Sequence, residues 1–405
     1  MFYRKYDLIV AGAGVAGIAA ALAAARRGVH VVLIEKTVWT GGLATSGIIN
    51  VYLPLCDGNG TQVSFGITEE MLQRSLKYSP GTIPDWKKAR NGKEIERYRT
   101  AFSPAGFVLS LDEMLEEAGV EVWFDTVIVD AEAEGNRLKS ITVGNKSGLG
   151  KLEAACFIDA TGDSDLAFFA GDKVHQEPNA SASWALERCG AAPNKLTLTD
   201  QIQIKMLGYS YEKNAYEPGV NGALVSRFIQ NGRKRYRNTL DEDYASGKYD
   251  RNTRYPLLVP TMPELRHTRC FDAPFALQPG MDWTHFDDSV GLCADWRKPG
   301  MVWEIPYRTL LSRRLENLLA AGRCTAAHGD AWEVTRVIPV AAETGEVAGV
   351  AAALSLNYGI CPAELTPGCG KNSFLESELR TKCGFPLHFE DLGLVPHLSE
   401  NNEQK

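Results

Sequence analysis

The sequence lacks closely spaced cysteines. Nine cysteines occur among 405 residues, an odd number, and no two of them form a Cys-x-x-Cys pair. This spacing predicts neither a disulfide framework nor a cysteine-based zinc site, and it indicates a reducing, cytoplasmic location. The chain also has no cysteine cluster of the kind that binds iron–sulfur centres. We therefore expect no metal site in this protein.

Positive charge and long hydrophobic runs are also scarce. The formal net charge is −7, whereas a nucleic-acid partner would require a basic face. One uncharged apolar run, residues 8–25, follows Arg4 and Lys5 in the manner of a signal peptide or membrane span. Its regularly spaced glycines and the neighbouring Asp7 favour a different role. We expect no nucleic-acid partner, no membrane partner and no secretion.

Residues 6–36 contain the most informative pattern in the chain. A short apolar strand leads into Gly12, Gly14 and Gly17, which have the spacing Gly-x-Gly-x-x-Gly. An alanine-rich helix follows, and a second strand ends at Glu35. Strand, glycine turn, helix, strand and acid in this order predict a dinucleotide-binding unit.

The chemistry explains these residue types. A pyrophosphate lies against bare backbone amides at a helix N-terminus, where the helix dipole favours negative charge. A carboxylate at the end of the second strand accepts the ribose hydroxyls of an adenosine and repels a 2′-phosphate, which disfavours NADP. The predicted cofactor contacts in this unit are Gly12, Ala13, Gly14, Val15, Ala16, Gly17, Glu35 and Lys36.

A second glycine loop comes directly after the acid. Gly41 and Gly42 allow the backbone to approach a flat or phosphate-bearing ligand, and Thr45 adds a hydroxyl. Glutamate, a short spacer, two glycines and a hydroxyl residue resemble flavoproteins of the glutathione-reductase type, especially the branch that contains fumarate reductase. The resemblance implies FAD as the cofactor, with Gly41, Gly42, Leu43, Ala44 and Thr45 as further contacts.

Three later segments follow the same resemblance. A helix over residues 110–118 precedes a strand and a predicted β-meander at residues 127–131 and 138–143, and a strand at 156–159 ends in Ala160-Thr161-Gly162. A buried strand then ends at Gly322 and Arg323, and residues 336–338 open a helix. The order resembles the broad FAD-dependent oxidoreductase family, which implies these further contacts: Val127, Ala160, Thr161, Gly162, Gly322, Arg323, Arg336, Val337 and Ile338.

The resemblance also implies the architecture. We expect an α/β fold with a Rossmann-like FAD-binding domain, built from a parallel sheet and a β-meander, and an inserted α+β substrate or cap domain. The FAD-binding domain should comprise residues 1–46, 102–172 and 303–361. The cap should comprise 47–101 and 173–302, and 362–405 should form a C-terminal tail.

Candidate catalytic residues are less specific. Arg266 and His267 could bind a carboxylate and supply a proton, or could belong to an ordinary polar strand. Arg308 is a second candidate for an anionic group, while Arg251 and Arg254 are expected on a solvated strand face. His328 is either a general acid or base over the flavin ring or a packing histidine. Cys324 is expected to be buried and inert.

The predicted function is an FAD-dependent oxidoreductase that transfers a hydride between flavin N5 and a C–H bond of a small organic substrate, anionic or neutral. The electron donor or acceptor is not identified, and a homo-oligomer is compatible with the sequence. The alternative is a flavin-bearing subunit of a larger electron-transfer complex. A disulfide oxidoreductase is disfavoured, because the chain has no paired cysteines and no second Gly-x-Gly-x-x-Gly.

Overall fold

A computed structural model describes residues 1–87, 97–177, 182–190, 201–209 and 219–396. The end of the predicted tail lies outside these residues. The strands are β1 (Phe2–Ala11), β2 (Val31–Ile34), β3 (Val51–Tyr52), β4 (Thr100–Ala101), β5 (Glu121–Trp123), β6 (Val127–Glu134), β7 (Arg137–Asn145), β8 (Gly148–Asp159), β9 (Val174–Gln176), β10 (Ala182–Cys189), β11 (Ile202–Tyr209), β12 (Arg254–Leu258), β13 (Arg269–Phe271), β14 (Ser289–Ala294), β15 (Val302–Pro306) and β16 (Leu318–Ala320). The helices are α1 (Val15–Ala25), α2 (Ile67–Arg74), α3 (Pro104–Glu117), α4 (Asp165–Phe169), α5 (Gly222–Ala245), α6 (Gly329–Thr335), α7 (Ile338–Tyr358) and α8 (Asn372–Glu378).

The main sheet has the order β5-β2-β1-β8-β7-β6, and β16 pairs with β8. The β1, β2, β5, β8 and β16 pairings are parallel, whereas β6, β7 and β8 form an antiparallel meander. The long strand β8 belongs to both parts, since its first half pairs with β7 and its last residues pair with β16. A parallel sheet plus a meander is the predicted α/β architecture, which is confirmed.

Helices α1 and α7 pack tightly beside this sheet. Nearly every residue of α1 is buried, as expected for a helix of alanine, valine, isoleucine and leucine. A Cβ at Gly345 would lie 2.1 Å from the carbonyl oxygen of Ala16, and one at Gly349 would lie 2.2 Å from that of Ala20. Small residues on α7 therefore let the two helix backbones touch. The contact places Ala16, at the beginning of α1, against Gly345, about two turns into α7.

Helix α3 begins earlier than predicted. It starts at Pro104, and the Ser103 hydroxyl accepts a hydrogen bond from the amide of Gly106. Serine at the N-cap followed by proline at the first helical position is a strong start signal, because the proline needs no donor there. The predicted end, just before Gly119, agrees with the structure.

Smaller sheets lie between the segments of the main sheet. Strands β10, β11 and β12 form an antiparallel sheet, and Tyr236 of α5 donates a hydrogen bond to Glu187 of β10 at 3.0 Å. Arg254 lies in this region and pairs with the same Glu187 at 3.1 Å. Arg254 is buried, so the expectation of a solvated strand face was wrong for it, while Arg251 is exposed. The boundaries of the predicted domains stay a prediction.

Within the described residues, no single helix has the length and apolar composition needed to cross a membrane. Helices α6 and α7 meet that test only when taken together across an 80° bend. The apolar run at residues 8–25 divides into the end of β1, the glycine turn and α1.

Candidate functional site

The glycine turn after β1 forms one wall of a large cleft. Gly12 has φ +96°, and a Cβ there would lie 2.6 Å from the carbonyl oxygen of Ala160. Gly14 is different, because it has ordinary extended geometry and a Cβ there would meet nothing within 4 Å. Its missing side chain leaves space in the cleft itself. Gly12 therefore closes the turn, and Gly14 keeps the backbone accessible.

The N-terminus of α1 and Glu35 lie beside this turn. Helix α1 begins at Val15 with no side-chain cap and no acidic residue in its first turn, so its positive end is available to an anion. One oxygen of Glu35 accepts a hydrogen bond from the amide of Ala13 at 2.9 Å, and the other accepts from the amide and hydroxyl of Thr37, both at 2.8 Å. The carboxylate is thus held in one orientation at the end of β2.

The second glycine loop packs against the first. Gly41 forms a parallel bridge with Gly14, and its amide donates to the carbonyl oxygen of Ala13 at 2.8 Å. Gly41 and Gly42 both have positive φ, and a Cβ on Gly42 would lie 3.0 Å from the Cα of Gly14. The two glycine loops together build a wall of bare backbone.

About 1090 Å³ of space free of protein atoms lies in and at the mouth of the cleft, part of it open to solvent. Most of the predicted cofactor contacts line it: Gly12, Gly14, Val15, Ala16, Glu35, Lys36, Gly41, Gly42, Leu43, Ala44, Val127, Ala160, Thr161, Gly162, Arg323, Arg336 and Ile338. The other predicted contacts are not among the lining residues: Ala13, Gly17, Thr45, Gly322 and Val337.

These five residues support the cleft from behind or beside it. Ala13 orients Glu35, and a Cβ on Gly17 would collide with the carbonyl oxygen of Gly12. Thr45 is buried and its hydroxyl donates to the carbonyl oxygen of Thr40. Gly322 packs between α1 and α7, and Val337 is the N-cap of α7. Several lining residues were missed by the sequence reasoning: Ile34, Thr37, Ser46, Thr126, Ile128, Asp165, Met262, Ala321 and Ala341.

One of the missed residues, Asp165, has a carboxyl group with a raised pKa. Asp165 lines the cleft and pairs with Arg269 at 2.6 Å. Burial first, and then the nearby carboxylates of Asp163 and Asp159, raise the pKa of Asp165 to about 6. The sequence placed Asp165 just after the Ala-Thr-Gly strand end, which is the signal that could have identified it.

Arginines gather where α7 begins. Arg323 and Arg336 line the cleft together with Ile338, the first residue of α7. Arg323 pairs with Asp163 at 2.9 Å, while the Nε of Arg336 is buried without a hydrogen-bond partner among the described residues. Burial, and then the positive charges of Arg266 and Arg323, lower the pKa of Arg336, against the opposing effect of Glu333. An unpaired buried donor and three nearby guanidinium groups favour an anion here.

Glu333 connects these arginines to His267. Arg336 and Arg266 both pair with the Glu333 carboxylate, the latter at 3.8 Å, and the Nε2 of His267 lies 3.1 Å from it. Although burial opposes ionisation, the hydrogen bond from His267 and the charges of Arg336 and Arg266 hold the pKa of Glu333 well below its usual range. The His267 ring stacks on Trp332, with centroids 4.6 Å apart and planes 2° from parallel. The structure thus brings Arg266 and His267 together beside the cleft arginines.

A second carboxylate faces His267 from the other side. Glu177 lies 3.7 Å from its Nδ1, and the same carboxylate lies 3.3 Å from both His175 and His328. The amide of Gly329 donates to both Glu177 oxygens at 3.0 Å. None of His175, Glu177 and His328 lines the cleft itself, but through His267 and Glu333 they connect to the lining residue Arg336, and we therefore call them the cleft cluster. Burial first, and then the neighbouring His175, lower the pKa of His328.

The remaining candidates lie elsewhere. Arg308 does not line the cleft, and its guanidinium pairs with both oxygens of Asp288 at 2.8 and 3.0 Å. The Cys324 thiol is buried and accepts a hydrogen bond from the amide of Gly162 at 3.2 Å. Burial raises its pKa well above the ordinary value, as expected for an inert cysteine.

The cleft suits a ligand that has sugar, phosphate and flat-ring parts. Glu35 provides an acceptor, the two glycine loops and the α1 N-terminus provide bare amides, and the first residue of α7 lines the same cleft together with Arg323 and Arg336. A side chain at Gly14 would fill part of this space, so the bare backbone fits a bound dinucleotide.

Comparisons with known proteins agree with this geometry. A family model described as FAD dependent oxidoreductase matches residues 7–250 and 280–375. A 76-residue stretch, 19% of this chain, is 36% identical to a thioredoxin reductase of Ureaplasma parvum serovar 3. The matched stretch spans 25% of the length of that relative.

Solved structures resemble the chain over nearly its whole length. A flavin-dependent brominase has a TM-score of 0.51 at 13% identity, with 92% of this chain and 84% of that chain covered. A geranylgeranyl bacteriochlorophyll reductase-like protein from Thermoplasma acidophilum has a TM-score of 0.49 at 12% identity, with 94% and 84% covered. At these identities the likeness to the brominase concerns the fold alone.

Proposed function

The chain belongs to the FAD dependent oxidoreductase family, and from this premise we propose that it transfers a hydride between flavin N5 and a C–H bond of a small organic substrate that carries an anionic group. The cofactor of this family is FAD. When bound, FAD supplies the redox centre that accepts or donates the hydride. The protein's own residues hold the cofactor, orient the substrate and move the proton.

The residues along the cleft divide the task of holding FAD. Glu35 would accept the hydroxyls of the adenosine ribose, and the amides at Gly14 and Val15 would bind the pyrophosphate. The N-terminus of α7 at Ile338 would stabilise negative charge on the flavin ring, because the first turn has no side-chain cap and no acidic residue.

One observation carries the proposal for the substrate: the Arg266, Arg336, His267 and Glu333 group adjoins the α7 end of the cleft. Guanidinium groups bind carboxylates through paired hydrogen bonds, and the partly desolvated setting strengthens such contacts. We infer that Arg266 and Arg336 orient an anionic group of the substrate. Arg308 is omitted because it pairs with Asp288 away from the cleft.

Two histidines could serve the proton transfer in different ways. The lowered pKa of His328 favours a neutral ring, which can accept a proton at neutral pH. His267 lies between Glu177 and Glu333, whose carboxylates fix its ring, so the ring can exchange a proton with a bound substrate. We propose His267 as the proton-transferring residue closest to the arginines, with His328 as its neighbour in the same network.

Two further observations support a branch of the family and a location for the protein. The Gly41-Gly42 loop after Glu35 supports membership of the branch related to fumarate reductase, among the glutathione-reductase-type flavoproteins. All nine cysteines are free thiols, which supports a cytoplasmic location. A separate electron donor or acceptor would complete the catalytic cycle.

The proposal can be tested with purified protein that contains bound FAD. Small carboxylic acids and their neutral amides are mixed anaerobically with the protein, and bleaching of the oxidised flavin bands is recorded. We expect bleaching by a carboxylic acid and much slower bleaching by its amide. The Arg266→Met variant should raise KM for that acid by about 10- to 100-fold, the effect of removing one charged contact.

Arg251→Met is the matched control, since Arg251 is an exposed arginine of the same predicted cap segment, residues 173–302. It should leave the kinetics unchanged. Equal bleaching by acid and amide, combined with unchanged kinetics in Arg266→Met, would contradict the anionic substrate while leaving the flavin assignment intact.

A further inference from the structure

A second histidine and glutamate group lies outside the FAD cleft. Glu304 of β15 faces His285 and His388, and the ligand-type atoms of all three residues lie within 4.8 Å of one another. None of the three lines the cleft. We call His285, Glu304 and His388 the tail cluster, because His388 belongs to the C-terminal segment that folds back against β15.

The spacing of the tail cluster fits a tetrahedral metal ion. The Nδ1 atoms of His285 and His388 lie 3.5 and 3.3 Å from the same oxygen of Glu304. Ligands bonded to zinc at about 2.0–2.2 Å in tetrahedral geometry are separated by roughly 3.4 Å. The two imidazole rings have centroids 4.7 Å apart, so both can direct a nitrogen toward one point.

The surrounding groups hold the candidate ligands in these orientations. The amide of Phe286 donates to the other oxygen of Glu304 at 2.7 Å, and the first oxygen, which faces the histidines, also accepts from the amide of Phe389 at 3.4 Å. The Nε2 of His285 lies 3.6 Å from the carboxylate of Asp287. This distance is too long for a hydrogen bond, so the exposed Asp287 contributes negative charge beside the ring and does not fix its orientation.

The charge of the tail cluster also favours a cation. Glu304 is completely buried, and neither Glu304 nor Asp287 forms an ion pair with a lysine or arginine in the described part of the chain. The nearby Asp288 and Asp391 are already paired, with Arg308 and Arg380. Two adjacent protonated imidazoles would repel each other, whereas one divalent ion would neutralise Glu304 and Asp287 together.

We propose that His285, Glu304 and His388 bind a divalent transition metal ion of the zinc class. Two imidazole nitrogens and one carboxylate oxygen are ligands that zinc prefers, and they leave a fourth position for water. The bound ion ties the C-terminal segment to β15. This inference is independent of the proposed redox function, because the ligands lie outside the cleft.

Zinc binding by the full-length, FAD-containing protein tests the proposal. The protein is stripped with a chelator, dialysed and titrated with ZnCl2 by calorimetry, and its metal content is measured by mass spectrometry. We expect one zinc per chain and a higher unfolding temperature with zinc. His388→Ala and Glu304→Gln should each weaken zinc binding on the order of 100-fold. Asp287→Asn should weaken it by about 10-fold, because Asp287 lies beside a ligand and does not itself bind the ion.

Two further variants keep the test decisive. His285→Ala replaces a half-exposed ligand and Asp287→Asn an exposed side chain, so both should fold even if a change at the buried Glu304 does not. His30→Ala, which removes an exposed histidine elsewhere, should bind zinc normally. The proposal is overturned if no zinc binds, or if His175→Ala abolishes binding while His388→Ala and His285→Ala leave it unchanged. FAD content measured on the same samples shows whether the cofactor site is intact.

Discussion

The cleft cluster and the tail cluster consist of the same residue types in different surroundings. Each has a glutamate between two histidines, with distances of 3.3–3.5 Å from glutamate to imidazole. In each, a backbone amide orients the carboxylate: Gly329 in the cleft cluster and Phe286 in the tail cluster. Ligand type and spacing therefore do not distinguish the two clusters.

Their charged neighbours do distinguish them. Through His267 the cleft cluster connects to Glu333 and hence to Arg266 and Arg336, whose guanidinium groups favour an anion and oppose a second cation. The tail cluster has the carboxylate of Asp287 behind it instead. From this comparison we infer that the same histidine and glutamate group serves anion chemistry or cation binding according to the charges around it.

The largest expected effect concerns His267, which connects the cleft cluster to the arginines and has no contact with the tail cluster among the ion pairs of the described residues. His267→Ala should slow flavin reduction by substrate by about 10²- to 10⁴-fold, the usual contribution of a general acid or base. FAD content and zinc stoichiometry should not change. Rapid-mixing spectroscopy measures the reduction rate, and the exposed His30→Ala variant is the control. Normal reduction rates in His267→Ala would remove it from the proton transfer.

A substitution in the glycine turn should affect the cleft and leave the tail cluster intact. Gly14→Val places a side chain in the cleft without a clash, because no atom lies within 4 Å of its Cβ position and its φ is ordinary. We expect FAD affinity to fall by about 100-fold, equivalent to about 2.7 kcal/mol.

Fluorescence titration with FAD measures this loss of affinity, while zinc calorimetry on the same variant should be normal. Gly222→Val adds the same side chain at an exposed glycine with similar freedom and should bind FAD normally. Full retention of FAD in Gly14→Val would show that the cofactor does not approach this turn.

Glu346 is a buried glutamate with no histidine opposite it, and it sharpens the comparison. Glu346 accepts a hydrogen bond from the amide of Ile67 at 2.6 Å, and burial raises its pKa to about 7. The folded state thus binds this proton more tightly than the unfolded state does. Its contribution to stability is present at low pH and is lost as the pH rises from the unfolded value near 4.5 through about 7.

Glu346→Gln should remove that loss, because glutamine can still accept from Ile67 and carries no charge. We expect the variant to be more stable than the parent at pH 8 by about 3 kcal/mol and similar to it below pH 5. Urea unfolding at both pH values measures the difference, with the exposed Glu134→Gln as the control. An unchanged pH dependence in Glu346→Gln would mean that this carboxyl group keeps an ordinary pKa.

The smallest expected effect concerns the cleft cluster alone. His175→Asn removes a neighbour that helps to lower the pKa of His328, while Glu177, which raises that pKa, remains. The pKa of His328 should therefore rise, and the acid limb of the pH profile for flavin reduction should move to higher pH. An NMR titration of His328 in parent and variant measures the shift directly. A fall in the pKa would show that His175 acts on His328 in another way.

The cofactor wall was largely predictable from sequence. Glycine spacing and strand order identify Gly12, Gly14, Gly41 and Gly42 because bare backbone can be supplied only by glycine at those positions. The ends of parallel strands meet at one edge of the sheet, so Ala160-Thr161-Gly162 and Arg323 could also be assigned to the cleft, whereas the predicted Gly322 packs beside it. Local pattern and strand order are sufficient for such contacts.

The polar clusters were not predictable in the same way. Glu177 meets His267 because β9 pairs antiparallel with β13, with Gln176 opposite Arg269, and no local pattern indicates that pairing. His388 meets Glu304 only because the C-terminal segment folds back onto β15. His328 was left open between catalysis and packing, and its partners appear only in the fold.

The sequence by itself determined the dinucleotide-binding unit, the FAD family and the backbone positions that line the cleft, since these depend on short patterns and on the steric demands of glycine. The tertiary structure alone decided which charged side chains meet: Arg266, His267 and Glu333 beside the cleft, and His285, Glu304 and His388 away from it. The physical reason is the distance along the sequence over which each interaction acts. Backbone conformation is set by neighbours in the chain, whereas electrostatic partners are set by contacts between residues far apart in sequence.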